Sequence, residues 1–171
     1  MKKIYKIAGI LCILLLVGQQ VRSQSKKDDF DLRKAPKFWL NELQKRYDKF
    51  TKEDNFIVYH KTSKLADRNT ELPVLVQLFK GRLYHFIVFA DPSTHKVQMK
   101  LGKRGVGHII TDKFYPTRDG EFYSDFTYVC SKTGYYLMTV FQRGGKKKQM
   151  THIAVLQKER DENRAVEFGY K

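Results

Sequence analysis

From Phe56 to Leu156 the chain is a succession of short apolar and aromatic runs, each closed by a turn signal. FIVYH, PVLVQLF, RLYHFIVFA, KVQMKL, HIIT, FYSDFTYV, YYLMTVFQ and MTHIAVL follow one another, broken by polar, glycine-containing or proline-containing stretches. Runs of this length, rich in β-branched and aromatic residues, are strands. Val97, Met99 and Leu101 alternate with Gln98 and Lys100, the period of a half-buried strand. Five or more such strands, with turns every ~8–12 residues, fold into an antiparallel β-sandwich. The expected fold is therefore mainly β: a jelly-roll-like antiparallel sandwich. Within it, Lys61 to Glu71 reads as a polar connection. Lys80-Gly81 reads as a hairpin turn that sets Leu78 opposite Leu83. RGGKKK, Arg143 to Lys148, reads as the tip of a second hairpin, with strands Tyr135–Gln142 and Gln149–Leu156 on either side.

One segment has a different period. In APKFWLNELQKRYDKF, Trp39, Leu43, Tyr47 and Phe50 recur at i, i+4, i+8 and i+11, and Pro36 suits a first turn. The spacing predicts one amphipathic helix from Pro36 to about Phe50. Its stripe is expected to pack on the chain's own domain rather than on a partner. Upstream, Lys2, Lys3 and Lys6 precede an apolar run from Ile7 to Val17, too short for the ~20 residues of a membrane span. This is the pattern of a secretory signal peptide, with Val21 and Ser23 at the −3 and −1 positions of the cleavage site. Cys12 lies inside the apolar run, which rules out a lipoprotein signal. The expected organisation is a signal peptide at 1–23, a flexible leader at 24–35, one helix-plus-sandwich domain at 36–157 and a polar tail at 158–171. The expected location is the periplasm or the outside of the cell.

LFKGRLYHFIVFAD, FTYVCSKTGYYLMTVFQ and HIAVL carry a resemblance over roughly Phe56 to Leu156. The chain resembles a family of small secreted β-sandwich proteins of Bacteroidota. It is more distantly similar to jelly-roll modules of the bacterial pre-peptidase C-terminal and GOLD-like kind, through the turn and strand Thr133-Gly134-Tyr135-Tyr136. The resemblance implies a non-catalytic accessory or binding role. Pre-peptidase modules often hold Ca²⁺ in acidic loops; the loops here are basic, so no calcium site is carried over.

The five histidines, at 60, 85, 95, 108 and 152, form no metal-binding spacing, and no CxxC is present. No cofactor or metal is expected. His85 and His152 lie in apolar strands, where a satisfied core histidine is the ordinary case. The alternative to a binding module is an enzyme using Cys130, with Lys132 close enough in sequence to lower its pKa. No family-specific cysteine-protease motif surrounds it, and there is no GxSxG. Gly102 to Gly107 runs into a strand instead of a helix, unlike a phosphate loop.

Charge remains. Without residues 1–23 the chain has 29 Lys+Arg against 18 Asp+Glu, a net +11 over 148 residues. Its single remaining cysteine leaves no internal disulfide, so the core must supply the stability. The cations gather in predicted loops, above all Arg143, Lys146, Lys147 and Lys148, with Lys103 and Arg104 in another. Such clusters attach to anionic surfaces. They also serve solubility and protect strand edges. In an envelope the anionic partners are lipid head groups, lipopolysaccharide or acidic glycan. Another protein is a further possible partner; no helix-turn-helix or RNP-type motif points to sequence-specific nucleic-acid binding.

Overall fold

The computed structural model describes residues 30–103 and 105–158. A short 3-10 turn at Leu32–Lys34 leads into helix α1, Lys37–Asp48, which continues through a π-turn at Lys49–Glu53. Eight strands follow: β1 (Ile57–Asp67), β2 (Glu71–Leu78), β3 (Leu83–Ala90), β4 (Lys96–Lys103), β5 (Gly107–Phe114), β6 (Tyr123–Val129), β7 (Gly134–Arg143) and β8 (Lys148–Lys158). A four-residue helix, α2 (Pro116–Asp119), sits between β5 and β6. The strands form two antiparallel sheets, a first in the order β1-β8-β3-β6 and a second in the order β2-β7-β4-β5. Only the β4–β5 connection stays within one sheet; every other one crosses between sheets. That is jelly-roll topology.

Side-chain period decides what each strand buries. On β4, Val97, Met99 and Leu101 point into the sandwich and are fully buried, while Lys96, Gln98 and Lys100 point out. The central strands β3 and β8 are apolar on both sides. Tyr84, Phe86, Val88, Ile153 and Val155 fill the space between the sheets. Ile87, Phe89, Ala154 and Leu156 point the other way, into a second core beneath α1.

The helix is there to cover that second face. Trp39 is fully buried, stands edge-on to Phe89 at 5.3 Å, and donates its indole N–H to the Ala90 carbonyl at 3.0 Å. Leu43 and Phe50 are buried beside it, so the stripe packs on its own domain as its spacing predicted. Arg46 lies over the Tyr123 ring at 4.1 Å and pairs with Glu42, fixing the far side of the helix. Phe30, Leu32 and Ala35, at the end of the stretch read as leader, are packed too. Ala35 is buried, and the Phe30 N–H donates to the Ser63 carbonyl at 2.9 Å.

Three expectations are corrected. Lys80-Gly81 does not close a hairpin: β2 pairs with β7, and β3 pairs with β6 and β8. The Phe79–Arg82 connection crosses between sheets, tied by Gly81 N–H to Cys130 O at 2.8 Å and Cys130 N–H to Arg82 O at 3.0 Å. Pro73 has no N–H and confines β2 to a sheet edge, whereas β3, buried on both faces, needs a central place. RGGKKK is not a hairpin tip either, because β7 and β8 belong to different sheets. Both ribbons, β2–β3 and β7–β8, are split across the sandwich and pair with each other. Third, Lys61 to Asp67 is strand: β1 runs against β8 from Ile57↔Gln157 to Asp67↔Lys148. It is an edge strand, mostly half-buried, so its ladder rests on backbone bonds that leave little alternation in its side chains.

Trp39→Ala should remove ~3–5 kcal/mol of stability. A thermal melt should drop by about 10 °C. The single tryptophan of the wild type should emit at blue-shifted wavelength. Emission like that of free tryptophan, with the variant melting unchanged, would mean that α1 does not hold this face.

Candidate functional site

All four connections at one end of the sandwich cross between sheets: 68–70, 91–95, 115–122 and 144–147. RGGKKK lies in the last of these. Its backbone is tied down by neutral hydrogen bonds from its neighbours. Arg68 N–H donates to Lys147 O at 2.9 Å, Asn69 N–H to Gln142 O at 2.8 Å, and His95 N–H to Arg143 O at 3.0 Å. Lys146 N–H donates to Ser93 Oγ and Gly144 N–H to Asn69 Oδ1, both at 3.3 Å. The Gln149 amide donates to the Gly144 carbonyl. Gly144 and Gly145 have φ of 76° and 77°, and a Cβ on either would run into His95 or the Ser93 carbonyl. The two glycines answer to both the left-handed backbone of the connection and this packing.

On that anchored loop the cations stand outward. Arg143, Lys146, Lys147 and Lys148 are exposed. Lys148 pairs with Asp67 at 3.1 Å. Two residues that sequence reasoning passed over join them: Arg68, exposed in the β1–β2 turn, and Lys96, which lies directly across the sheet from Arg143. Among the described residues, Arg68, Lys96, Arg143, Lys146 and Lys147 make no ion pair. The only sequence sign of Arg68 was the Asp67-Arg68-Asn69 turn, with Asn69 at φ 63°.

Lys103 is elsewhere. It ends β4, seven residues and roughly 23 Å from Lys96 at ~3.3 Å per residue. Its ammonium donates to Lys132 O at 3.1 Å and lies 4.9 Å from the Tyr136 ring centre. It belongs to the opposite end of the sandwich. Arg104 lies outside the described residues.

Cys130 is 1% exposed, and its thiol contacts the Lys132 carbonyl at 3.4 Å and the Tyr136 hydroxyl at 3.5 Å. Lys132 thus offers the thiol a carbonyl oxygen, not a cation. Burial drives the Tyr136 hydroxyl well above its ordinary range, so it is no base for the thiol either.

His152 is buried and engaged at both ring nitrogens. It forms the floor of a groove of about 560 Å³ walled by Leu40, Tyr47, Val58 and Lys61. Its Nε2 meets Tyr47 Oη at 2.8 Å and its Nδ1 meets Ser63 Oγ at 2.7 Å. Both ring nitrogens are occupied, so the histidine joins α1, β1 and β8 and has no lone pair to offer a substrate. Burial, with help from the Lys61 ammonium, pushes its imidazole down to about 4. Burial likewise raises the Tyr47 hydroxyl far above its usual value. Among the described residues, no three His, Cys, Asp or Glu side chains gather where they could hold a metal ion.

No known protein family matches the chain, and no curated protein matches its sequence. Several solved structures are distantly similar to it. A TmCBM61 complex with beta-1,4-galactotriose is 16% identical, covering 58% of this chain and 70% of that one, with a TM-score of 0.40. A carbohydrate binding module (CBM6cm-2) from Cellvibrio mixtus lichenase 5A, in complex with cellotriose, is 10% identical over 58% and 88%, with a TM-score of 0.34. Aeromonas hydrophila PliG, a periplasmic inhibitor of g-type lysozyme, is 14% identical over 56% and 82%, also at 0.34. At TM-scores of 0.40 and below, these likenesses carry no argument about this chain.

The neutral, buried His152 makes stability depend on pH. Its folded value of about 4 lies below the ordinary ~6.5 of an unfolded chain. Between the two, the unfolded chain binds a proton that the folded protein refuses. The contribution is complete above pH ~6.5 and drains as pH falls towards about 4, by up to ~3 kcal/mol. Melts across that window should fall more steeply for the wild type than for His152→Gln; equal slopes would assign the loss to other groups.

Proposed function

We propose that this chain is a non-catalytic binding module of the cell envelope that holds a polyanion at the crossover end of its sandwich. The observation that carries the reading is the convergence of Arg68, Lys96, Arg143, Lys146 and Lys147 from three separate segments of chain, with no carboxylate paired to any of them among the described residues. Cations brought together this way repel one another, a cost that salt screens but does not remove. The fold tolerates it because neutral hydrogen bonds to the loop backbone hold the 144–147 connection. An anion bound there relieves the repulsion. Each basic residue near an anionic surface contributes about 1 kcal/mol. Five give reversible attachment of useful strength without any apolar insertion. Phosphate-bearing lipid head groups, lipopolysaccharide and acidic glycans all present the required charge, and export by the N-terminal segment would bring the protein to them.

The test is a comparison of the wild type with a variant carrying Arg68→Gln, Arg143→Gln, Lys146→Gln and Lys147→Gln. Binding is measured to anionic vesicles, neutral vesicles and an immobilised acidic polysaccharide, at low and high salt. The wild type should bind at least one anionic probe, ignore neutral vesicles and release as salt rises. The variant should bind at least about tenfold more weakly and melt at an unchanged temperature. A variant that binds as well as the wild type would reduce the cluster to a solubility feature.

A further inference from the structure

The outer faces of the two sheets are treated differently. That of the first sheet lies under α1. Among the described residues, nothing covers that of the second sheet. There β4 turns Lys96, Gln98 and Lys100 outward. Arg143 lies opposite Lys96, Lys113 opposite Gln98, and Thr139 and Thr111 on either side of Lys100; Phe141 lies between Gln98 and Glu71, which stands on the β2 edge. Farther along, Leu75 faces Leu137, with Tyr135 next on the same side of β7. Tyr135 and Leu75 are each 63% exposed and Leu137 is 43% exposed, unusually open for large apolar side chains on a sheet. Lys100 and Lys113 pair with no carboxylate among the described residues. The face is continuous, through Arg143 and Lys96, with the basic end of the sandwich.

Resting on the polyanion-binding reading above, we infer that the ligand is an acidic polysaccharide, lying along this open face with one end at the basic loops. From Arg143 to Tyr135 the face is roughly 27 Å long at ~3.4 Å per residue, and its four strands are about 14 Å across at ~4.8 Å spacing. That is a track for a linear chain. Its chemistry runs from cations, with amide and hydroxyl groups and the Phe141 ring between them and one carboxylate, Glu71, at the β2 edge, to an aromatic and aliphatic end. A sugar polymer bearing carboxylates answers the cations, the polar row and the apolar end, and runs on the β4–β5 side, away from Glu71. Its acid groups meet Lys100, Lys113 and Arg143 in charge-assisted hydrogen bonds. Its hydroxyls meet Gln98, Thr111 and Thr139. The C–H side of a ring covers Tyr135 and Leu137. A bilayer has charge for the cations and an interior for the leucines, but nothing directional for a row of glutamine and threonine fixed in register. The observations therefore favour the polysaccharide.

The experiment is affinity electrophoresis of the exported chain in gels containing alginate, a carboxylated polysaccharide, or a neutral glucan, with sedimentation on anionic vesicles in parallel. Two face variants, Lys100→Gln/Lys113→Gln and Tyr135→Ala, are compared with the loop variant Lys146→Gln/Lys147→Gln. All change exposed or half-exposed side chains, and unchanged melting confirms that they fold. Alginate should retard the wild type and neutral glucan should not. Each face variant should lose at least about fivefold in affinity. The Tyr135→Ala loss should persist at about 0.5 M salt, where charge attraction is screened. Face variants that bind alginate like the wild type, while the loop variant fails, would overturn the inference and leave the basic end as the whole site. Binding to vesicles but not to alginate would overturn it in favour of a lipid surface. A wild type that binds neither probe would sink the polyanion reading itself.

Discussion

The burial of Trp39 against Phe89 and the Ala90 carbonyl is the contact on which the rest of the molecule hangs. β3 and β8 are apolar on both faces, as central strands of a covered sheet are. Without α1, a face bearing Ile87, Phe89, Ala154 and Leu156 would stand open to water and invite association. With it, the first sheet becomes the middle layer of three: second sheet, first sheet, helix. The jelly-roll order follows from the same demand. β3 and β8 must lie inside the first sheet, so their sequence neighbours β2 and β7 are carried to the second.

Much of this was legible in the sequence, and the illegible parts share one cause. Period reveals which side of a strand is apolar; it says nothing about which strand lies beside it. Val97, Met99 and Leu101 announced β4, and Trp39, Leu43 and Phe50 announced the helix and its inward side. The pairing of β2 with β7 is a contact between residues some sixty positions apart, and no local pattern encodes it. Two adjacent apolar runs with a glycine between them look alike whether they fold back in one sheet or part into two. Pro73 held the discriminating information: a proline belongs on an edge, and a partner buried on both faces does not.

The candidate site divides in the same way. The charge of RGGKKK is local and could be read directly. Its company could not. Arg68 arrives over a hydrogen bond to Lys147, and Lys96 over the β4–β7 ladder. The same ladder carries Lys103 to the opposite end, where it serves the Lys132 carbonyl instead of a ligand. His152 shows the limit most clearly. Its neighbourhood in sequence, MTHIAVL, identifies a buried histidine. Its role comes from Tyr47, 105 residues away, and Ser63, 89 residues away.

An asymmetry of covering results, and it separates the stabilising contacts from the proposed binding surface. The helix, Trp39 and His152 all act on the first sheet. The cations, Tyr135 and the open row of amides and hydroxyls all belong to the second sheet or to the loops that end it. Side chains pointing in from the second sheet, such as Met99, Met138 and Val140, are fully buried and fix its shape. Their outward neighbours, such as Gln98, Lys100, Leu137 and Thr139, are exposed or half-buried. A strand thus has one register of positions that folding constrains and an interleaved register that it leaves free. Charge collected on the free register costs only screened repulsion, because removing it disturbs no packing. The first sheet has no such register on its central strands, since both of their faces are needed for the fold. The proposed binding surface uses the register that folding leaves free on the second sheet.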